Sequence, residues 1–417
     1  MSADVVDTAR EADRIITDIV IGGVADPFPL YESLRELGEG VHWSTVMNGW
    51  VVTRYADVLA TCSRPETFGS DYFFDGPAGL YDPTIAEHRR YAEVSSQNFM
   101  VTDPPRHTKL RSLFRNSFTP RSIRSWRAYV EAITDRLLDA YVPGDRVDLM
   151  PELAATVPVA VISRILGIPD DDLPQFRAWT DAYVDTFNPH TQGDYRDQCI
   201  RTTVALFDYL QDLIERKRVE PGDDLMTVIA TTPTIDGEIL DPAIAAAQAA
   251  LLLVAGNETT TNLIGNTVAL LIGHPAAKQR LCERPELIPN AIEESLRCDP
   301  PFHFDQRKAL HNTIIGNQQV NSGQLIFQLI AAANRDPRHF EHPGQFDVER
   351  PTAGNRHLAF SHGIHFCLGA PLARMEGQIV IEKLLQRFPN ITFGDKPPTR
   401  KADAVVARGW HQLPVAL

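Results

Sequence analysis

Between positions 242 and 272 nothing in the chain breaks a helical pattern, and Gly273-His274-Pro275 then stops it. A helix of that length rises roughly 45 Å at 1.5 Å per residue, enough to cross a whole molecule of this size, so the fold must be arranged around it. It is apolar on nearly all sides before Gly256 and largely so again from Leu263, which calls for burial of both halves. Its middle, Asn257-Glu258-Thr259-Thr260-Thr261-Asn262, is polar on every face. Burying one such group unpaired costs about 1–3 kcal/mol, and an unpaired carboxylate more. The patch therefore either meets solvent or a polar loop, or lines an internal chamber and handles protons or a polar ligand there. A mid-helix threonine can bond back to the carbonyl four residues earlier and open the helix, which would tie Thr259 to Ala255.

Around this helix the periodicity gives a helical start at 30–37 and strand-like runs at 40–44 and 49–54. These runs flank Met47-Asn48-Gly49 and read as a hairpin. Residues 105–286 are overwhelmingly helical, punctuated by Pro169, Pro174 and Pro221. A strand-rich stretch at 313–330 turns at Gly316-Asn317 and Asn321-Ser322-Gly323. A helix at 371–387 and a strand-like tail close the chain. Strands at both ends of a helical middle do not make separable domains, so the expectation is a single domain over 1–417, with a small sheet assembled from distant segments.

Charge and cysteines narrow the function. Lys and Arg total 40 against 54 Asp and Glu, a formal charge of −14, which suits no polyphosphate partner and excludes nucleic acid as the main one. Cys62, Cys199, Cys282, Cys298 and Cys367 are odd in number and scattered, without a C-x-x-C pair, so neither a disulfide framework nor a four-thiolate zinc site is expected. The N-terminus carries Asp4 and Asp7 where a signal peptide needs a basic start. The most apolar stretch, 242–256, falls short of the ~18 residues of a spanning helix. A soluble cytoplasmic protein with no membrane anchor is expected.

The densest constellation is Phe360-Ser361-His362-Gly363-Ile364-His365-Phe366-Cys367-Leu368-Gly369-Ala370. A thiol between glycines, just ahead of a helix, is placed for activation, because the helix N-terminus and nearby N–H groups stabilise a thiolate. Two other readings stand beside this one: a buried, inert thiol, or a metal site of His362, His365 and Cys367, although such close loop spacing rarely supplies four tetrahedral ligands.

Phe360, Gly363, His365, Cys367 and Gly369 reproduce F-x-x-G-x-H-x-C-x-G, and here the sequence resembles the cytochrome P450 family. Ala255-Gly256-Asn257-Glu258-Thr259-Thr260 is similar to the family's oxygen-binding helix motif, and Glu294-Ser295-Leu296-Arg297 to its E-x-x-R. Ala333-Asn334-Arg335-Asp336-Pro337, with Phe340, Pro343, Phe346, Asp347 and Arg350, and the run from Asp103 to Arg111 resemble its soluble bacterial members. The resemblance implies a mainly α fold with small β-sheets, and a haem b between the long helix 242–272 and the loop 360–370. It implies Cys367 as axial thiolate to the iron and Phe360 beneath the porphyrin, with Gly363 and Gly369 shaping the loop. The propionates would be held by His107, Arg111, Arg307 and His365. Arg307 is preferred over Lys308 because the family usually places arginine two before a small residue such as Ala309. Glu294, Arg297 and Arg350 would form a structural triad. Glu258 and Thr259 would be the acid–alcohol pair that delivers protons to dioxygen as it is reduced.

The implied activity is insertion of one oxygen atom from O2 into a mostly apolar small molecule by a monomeric enzyme. Electrons would come from NAD(P)H through a ferredoxin reductase and a ferredoxin, since the chain has no flavin or nucleotide segment. Arg106, Lys109, Arg111, Arg115, Arg121, Arg124 and Arg127 cluster without an acid among them, which is either a solvated basic face or a docking surface for an acidic ferredoxin. Pocket walls are expected from 71–97, 178–197, Leu252 and Ala255, 302–304 and 405–410, with Phe73, Phe74, Tyr81, Phe187, Phe302 and Trp410 supplying aromatic surface or ordinary core. His303 or Asp305 could read a polar end of the substrate. Two alternatives remain at this point: a same-fold enzyme of oxidative coupling, desaturation or peroxide chemistry, and a non-catalytic haem- or ligand-binding protein.

Overall fold

The computed structural model describes residues 3–73, 82–188, 190–351, 356–402 and 407–417, the side chains of 3–6 and 170 excepted. Phe74, Tyr81 and positions 405–406 lie outside the described residues. The chain forms two compact units, one of Met1–Phe68, Trp126–Val157 and Thr259–Leu417, the other of Gly69–Ser125 and Pro158–Glu258.

The first unit holds the β-structure. In spatial order the first four strands of its five-stranded sheet are Val41–Ser44, Gly49–Val52, Leu325–Leu329 and Phe304–Ala309. The hairpin closes at Asn48, whose φ of +49° suits a tight turn. Gly49–Val52 then runs parallel to Leu325–Leu329, which is antiparallel to Phe304–Ala309. Sheet side chains Val41, Val52, Ala309 and Ile326 pack with Tyr55, Val58, Cys62, Phe340 and Leu358 into one buried cluster. A three-stranded sheet joins Arg146–Asp148, Pro414–Ala416 and Thr392–Phe393. Phe304–Ala309 and Arg146–Asp148 are among the strands hidden in the sequence. Phe304–Ala309 reads as a charged run because its Asp and Arg are engaged by the loop described below, and Arg146–Asp148 lies within the stretch expected to be helical.

The second unit is helical. Its long helix Gly193–Val219 packs on Leu173–Thr186, Ala86–Ser95 and Leu225–Thr231. Asp224 caps the last of these by accepting the Thr227 N–H at 2.8 Å.

The central helix spans Pro242–Gly273 and supplies residues to both units. Gln248, the one polar residue of its apolar first half, is fully bonded: its amide donates to the Gln97 and Ile244 carbonyls and accepts the Phe99 N–H, all within 3.0 Å. In the second half Asn262 packs against the backbone at Gly409. Asn266 donates to the Asp299 carbonyl at 3.0 Å and accepts from Arg400 at 3.1 Å. Of the polar middle, Asn257, Thr260, Thr261 and Asn262 are buried, whereas Glu258 and Thr259 are half-exposed one turn beyond the exposed Ala255. The patch thus divides, with most of it spent on packing and the acid–alcohol pair on the less covered face.

One buried carboxyl leaves an oxygen unbonded. Glu376 is 1% exposed, its Oε2 has no hydrogen bond, and burial raises its carboxyl to about 8. The folded chain therefore keeps a proton that the unfolded chain gives up near 4.5, so stability is lost as pH rises from about 4.5 to about 8. Glu376→Gln removes that loss. Urea melts are expected to show the variant gaining over the parent between pH 5 and 8, by up to about 3 kcal/mol; parallel pH curves would count against it.

Candidate active site

Cys367 lies between the short 3₁₀ turn Gly363–His365 and the helix Ala370–Arg387. Its N–H donates to the Phe360 carbonyl at 2.9 Å, which curls the loop. Gly363 has a φ of +73°, and a Cβ there would stand 2.5 Å from the Cys62 carbonyl oxygen, so only glycine lets the loop lie on the helix Tyr55–Ser63. Cys367 is half-exposed, whereas Cys62, Cys199 and Cys298 are buried and burial raises their thiols. The sulfur sits at the start of a helix, whose first N–H groups lack intrahelical acceptors and favour an anion.

A Cβ on Gly369 would find only the Cys367 sulfur, at 4.0 Å, apart from its chain neighbours, so the glycine leaves space beside the sulfur of the kind a planar group needs. No three His, Cys, Asp or Glu side chains gather to hold a metal ion among the described residues, which overturns the alternative of a site built from His362, His365 and Cys367. A single sulfur offered to a metal carried in its own macrocycle is the chemistry this donor set suits.

Charged and polar side chains hold the loop. Phe360 is 8% exposed, and the Arg374 guanidinium lies 4.5 Å over its ring. Arg374 pairs with Glu293 through Nε and Nη2 at 2.6 and 2.8 Å, and Glu293 also takes His357 Nε2 at 3.2 Å. Burial would raise the Glu293 carboxyl, but these two partners win and hold it at about 2. Beside it Glu294 receives Arg297 through two bonds of 2.8 Å and Arg350 Nε at 3.0 Å. Asn334 accepts the Leu358 N–H at 2.7 Å and so anchors the loop's entry. Arg307, on the strand Phe304–Ala309, is 3% exposed and reaches Ser361 Oγ at 3.4 Å, while Lys308 is half-exposed. His365 is half-buried at the end of the 3₁₀ turn.

In the second unit His107 and Arg111 lie four residues apart on the helix Arg106–Ser112, hence on one face. Burial, aided by Arg111, pushes His107 down to about 4, so near neutrality it can offer a hydrogen bond but no charge. Arg111 lies 5.8 Å from the Phe99 ring centroid. In the basic cluster, Lys109 pairs with Asp236 and Glu238, and Arg127 with Glu131, while Arg106, Arg115, Arg121 and Arg124 are exposed.

Several expected pocket residues belong to the interior instead. His303 is 0% exposed, bonded to the Tyr31 hydroxyl at 2.9 Å and packed against Phe28, with burial pushing it down to about 4. Trp410 is packed beneath the Arg400 guanidinium at 3.7 Å and against the second half of the central helix at Gly265. Leu252 is buried. Asp305 is tied to Arg307 and Ser361. Phe73 and Phe302 are half-buried and Ala255 is exposed. Sequence reasoning missed Glu293, Arg374, His357 and Ser361, because single charged or polar residues carry no pairing signal.

Comparison with known proteins places the chain in context. The family profile "Cytochrome P450" matches residues 75–408. Cytochrome P450 107B1 of Saccharopolyspora erythraea is 39% identical over 92% of this chain and 93% of its own length. The polyketide biosynthesis cytochrome P450 PksS of Bacillus subtilis is 38% identical over 94% of this chain and 96% of its own. The crystal structure of P450BioI, in complex with an acyl carrier protein ligated to hexadec-9Z-enoic acid, superposes with a TM-score of 0.84 at 30% identity, covering 94% of this chain and 98% of that one.

Proposed function

The chain belongs to the cytochrome P450 family of haem-thiolate monooxygenases, and on that premise we propose that Cys367 is the axial thiolate and that the substrate is a mostly apolar small organic molecule. The observation that carries this reading is the half-exposed Cys367 at a helix start, with open space at Gly369. Bound haem supplies dioxygen activation, and its thiolate ligand favours O–O cleavage. Every other role falls to the chain. Phe360 would pack on the macrocycle, with Gly363 and Gly369 giving the loop its shape, while His107, Arg111, Arg307 and His365 would receive the propionates. Glu294, Arg297 and Arg350 would hold the fold beneath. We read residues 1–417 as one functional domain.

Glu258 and Thr259 would pass protons toward dioxygen, the hydroxyl first and the carboxyl behind it. Thr259→Ala is expected to keep consuming NAD(P)H while product per reductant falls roughly tenfold or more, the difference appearing as hydrogen peroxide. Unchanged coupling would remove the relay.

Three observations support the substrate class: Phe73 and Phe302 are aromatic and only half-buried, one relative is named for polyketide biosynthesis, and a structural neighbour is in complex with an acyl carrier protein carrying a fatty acid. A ligand screen that follows the Soret shift tests it: apolar polyketide or acyl compounds should shift the band, and a response confined to charged, hydrophilic compounds would overturn the class. For electrons we propose a ferredoxin and its reductase, docking at Arg106, Arg115, Arg121 and Arg124. Among the described residues no helix is long and apolar enough to cross a membrane, and we place the enzyme in the cytoplasm as a monomer.

A further inference from the structure

The strand Phe304–Ala309 carries a carboxylate and a guanidinium two residues apart, and alternation puts both on one face. Each reaches the loop that leads to Cys367. Asp305 accepts Arg307 Nη1 on Oδ1 at 3.0 Å and the Ser361 hydroxyl on Oδ2 at 3.2 Å. Arg307 Nη2 closes the triangle at 3.4 Å from the same hydroxyl. The guanidinium side chain is 4% exposed and the carboxylate 20%, so their attraction is only partly screened.

Ser361 needs such a hold. It follows Phe360 directly and has a φ of +59°, a left-handed conformation that costs a residue with a Cβ about 1–2 kcal/mol. Its N–H donates to the Leu358 carbonyl at 2.8 Å, and its hydroxyl also lies 3.7 Å from Cys62 Sγ. The strand itself is fixed in register, Asp305 opposite Gln328 and Arg307 opposite Ile326. Gln328 in turn donates to Thr61 Oγ1 at 2.6 Å and Cys62 Sγ at 3.3 Å. One carboxylate oxygen thus stays within the strand, accepting from Arg307 and from the Gln306 N–H at 2.8 Å, while the other joins the strand to the strained first step of the ligand loop.

We infer that Asp305 is a positioning residue for the haem pocket: it fixes Ser361, and through it the course of the loop from Phe360 to Cys367, and it keeps a compensating negative charge on Arg307. The second effect matters before any cofactor arrives, because a buried guanidinium without a counter-ion is costly. It matters afterwards too. A fixed carboxylate at the propionate-binding guanidinium disfavours addition of an electron nearby and so lowers the reduction potential. This inference rests on the haem reading of Cys367, and concerns a carboxylate outside the motif that supports that reading.

The test uses the holoenzyme. Asp305→Asn keeps the shape and an acceptor while cancelling the charge, so the haem midpoint potential in a reversible titration is expected to rise. Asp305→Ala and Ser361→Gly both remove the hydroxyl–carboxylate bond, and Ser361→Gly also relieves the backbone strain. Both are expected to transfer haem to apomyoglobin faster, by about tenfold for a lost bond to a charged group. A midpoint potential in Asp305→Asn equal to the parent's, or parental haem release in the other two variants, overturns the inference. The parent's own reduced, carbon-monoxide spectrum is recorded alongside: a parent without the thiolate-type band counts against the function and not against the clamp.

Discussion

Arg297→Leu is expected to yield chain that is mostly insoluble or free of haem, with a loss of about 3–5 kcal/mol, the scale of a broken buried ion pair. The guanidinium is 1% exposed and is used on every side. Nε and Nη2 hold Glu294; Nη1 donates to the Asn334 and Pro343 carbonyls at 3.1 and 2.7 Å, and Nη2 to that of Gln345 at 2.8 Å. Leucine would take this donor from the Asn334 and Pro343 carbonyls, leave the Gln345 carbonyl to Arg350 Nη2, and leave Glu294 dependent on Arg350 Nε and the Asp347 N–H, both at 3.0 Å. Arg350 cannot take over, since its own Nη groups already serve the Glu341, His342 and Gln345 carbonyls. Domains of ordinary stability hold only about 5–15 kcal/mol in all, so the loss takes a large share. Haem content per chain and the denaturation midpoint are the measurements. Normal loading with an unshifted midpoint would show the triad to be dispensable. Arg297→Lys should fall between, because an ammonium cannot form the two-bond fork to Glu294.

Why some of this was readable and some not follows from how far apart the partners lie. The central helix, the hairpin and the terminal helix are local patterns, and each appears within a residue or two of its expected bounds. The ligand loop was readable because its residues stand together in one short motif, and at 363 the close approach to the Cys62 carbonyl demands glycine. The clamps around it are pairs of distant residues. Asp305 and Ser361 are 56 positions apart, Arg374 and Glu293 81, His357 and Glu293 64. Nothing in a single sequence marks one carboxylate as the partner of a particular hydroxyl. Composition does not decide a pocket wall either: Trp410 was expected there because rings suit apolar ligands, and His303 to read a polar end, and only neighbours such as Arg400 and Tyr31 show how each is packed.

Cys367→Ala is expected to abolish the reduced, carbon-monoxide-treated absorption near the wavelength that gives the family its name, and to bring oxygen insertion to background. The loss is chemical more than structural. Cys367 is half-exposed and makes its loop bond through the backbone N–H to Phe360, which alanine retains, so the fold should survive with an unshifted denaturation midpoint. Phe360 stays under Arg374, and Gly363 stays on the Cys62 carbonyl. What disappears is the one sulfur at a helix start with open space beside it. The remaining thiols cannot substitute: Cys62, Cys199 and Cys298 are buried with raised thiols, and Cys282 is exposed on the separate helix Pro275–Glu283. Cys367→Ser sharpens the point, because a hydroxyl fills the same volume but is far harder to ionise. It should hold haem weakly, without the thiolate-type band. Either variant retaining both the band and product formation would move the ligand elsewhere in the chain, and with it the roles assigned to Phe360, Arg307 and Ser361.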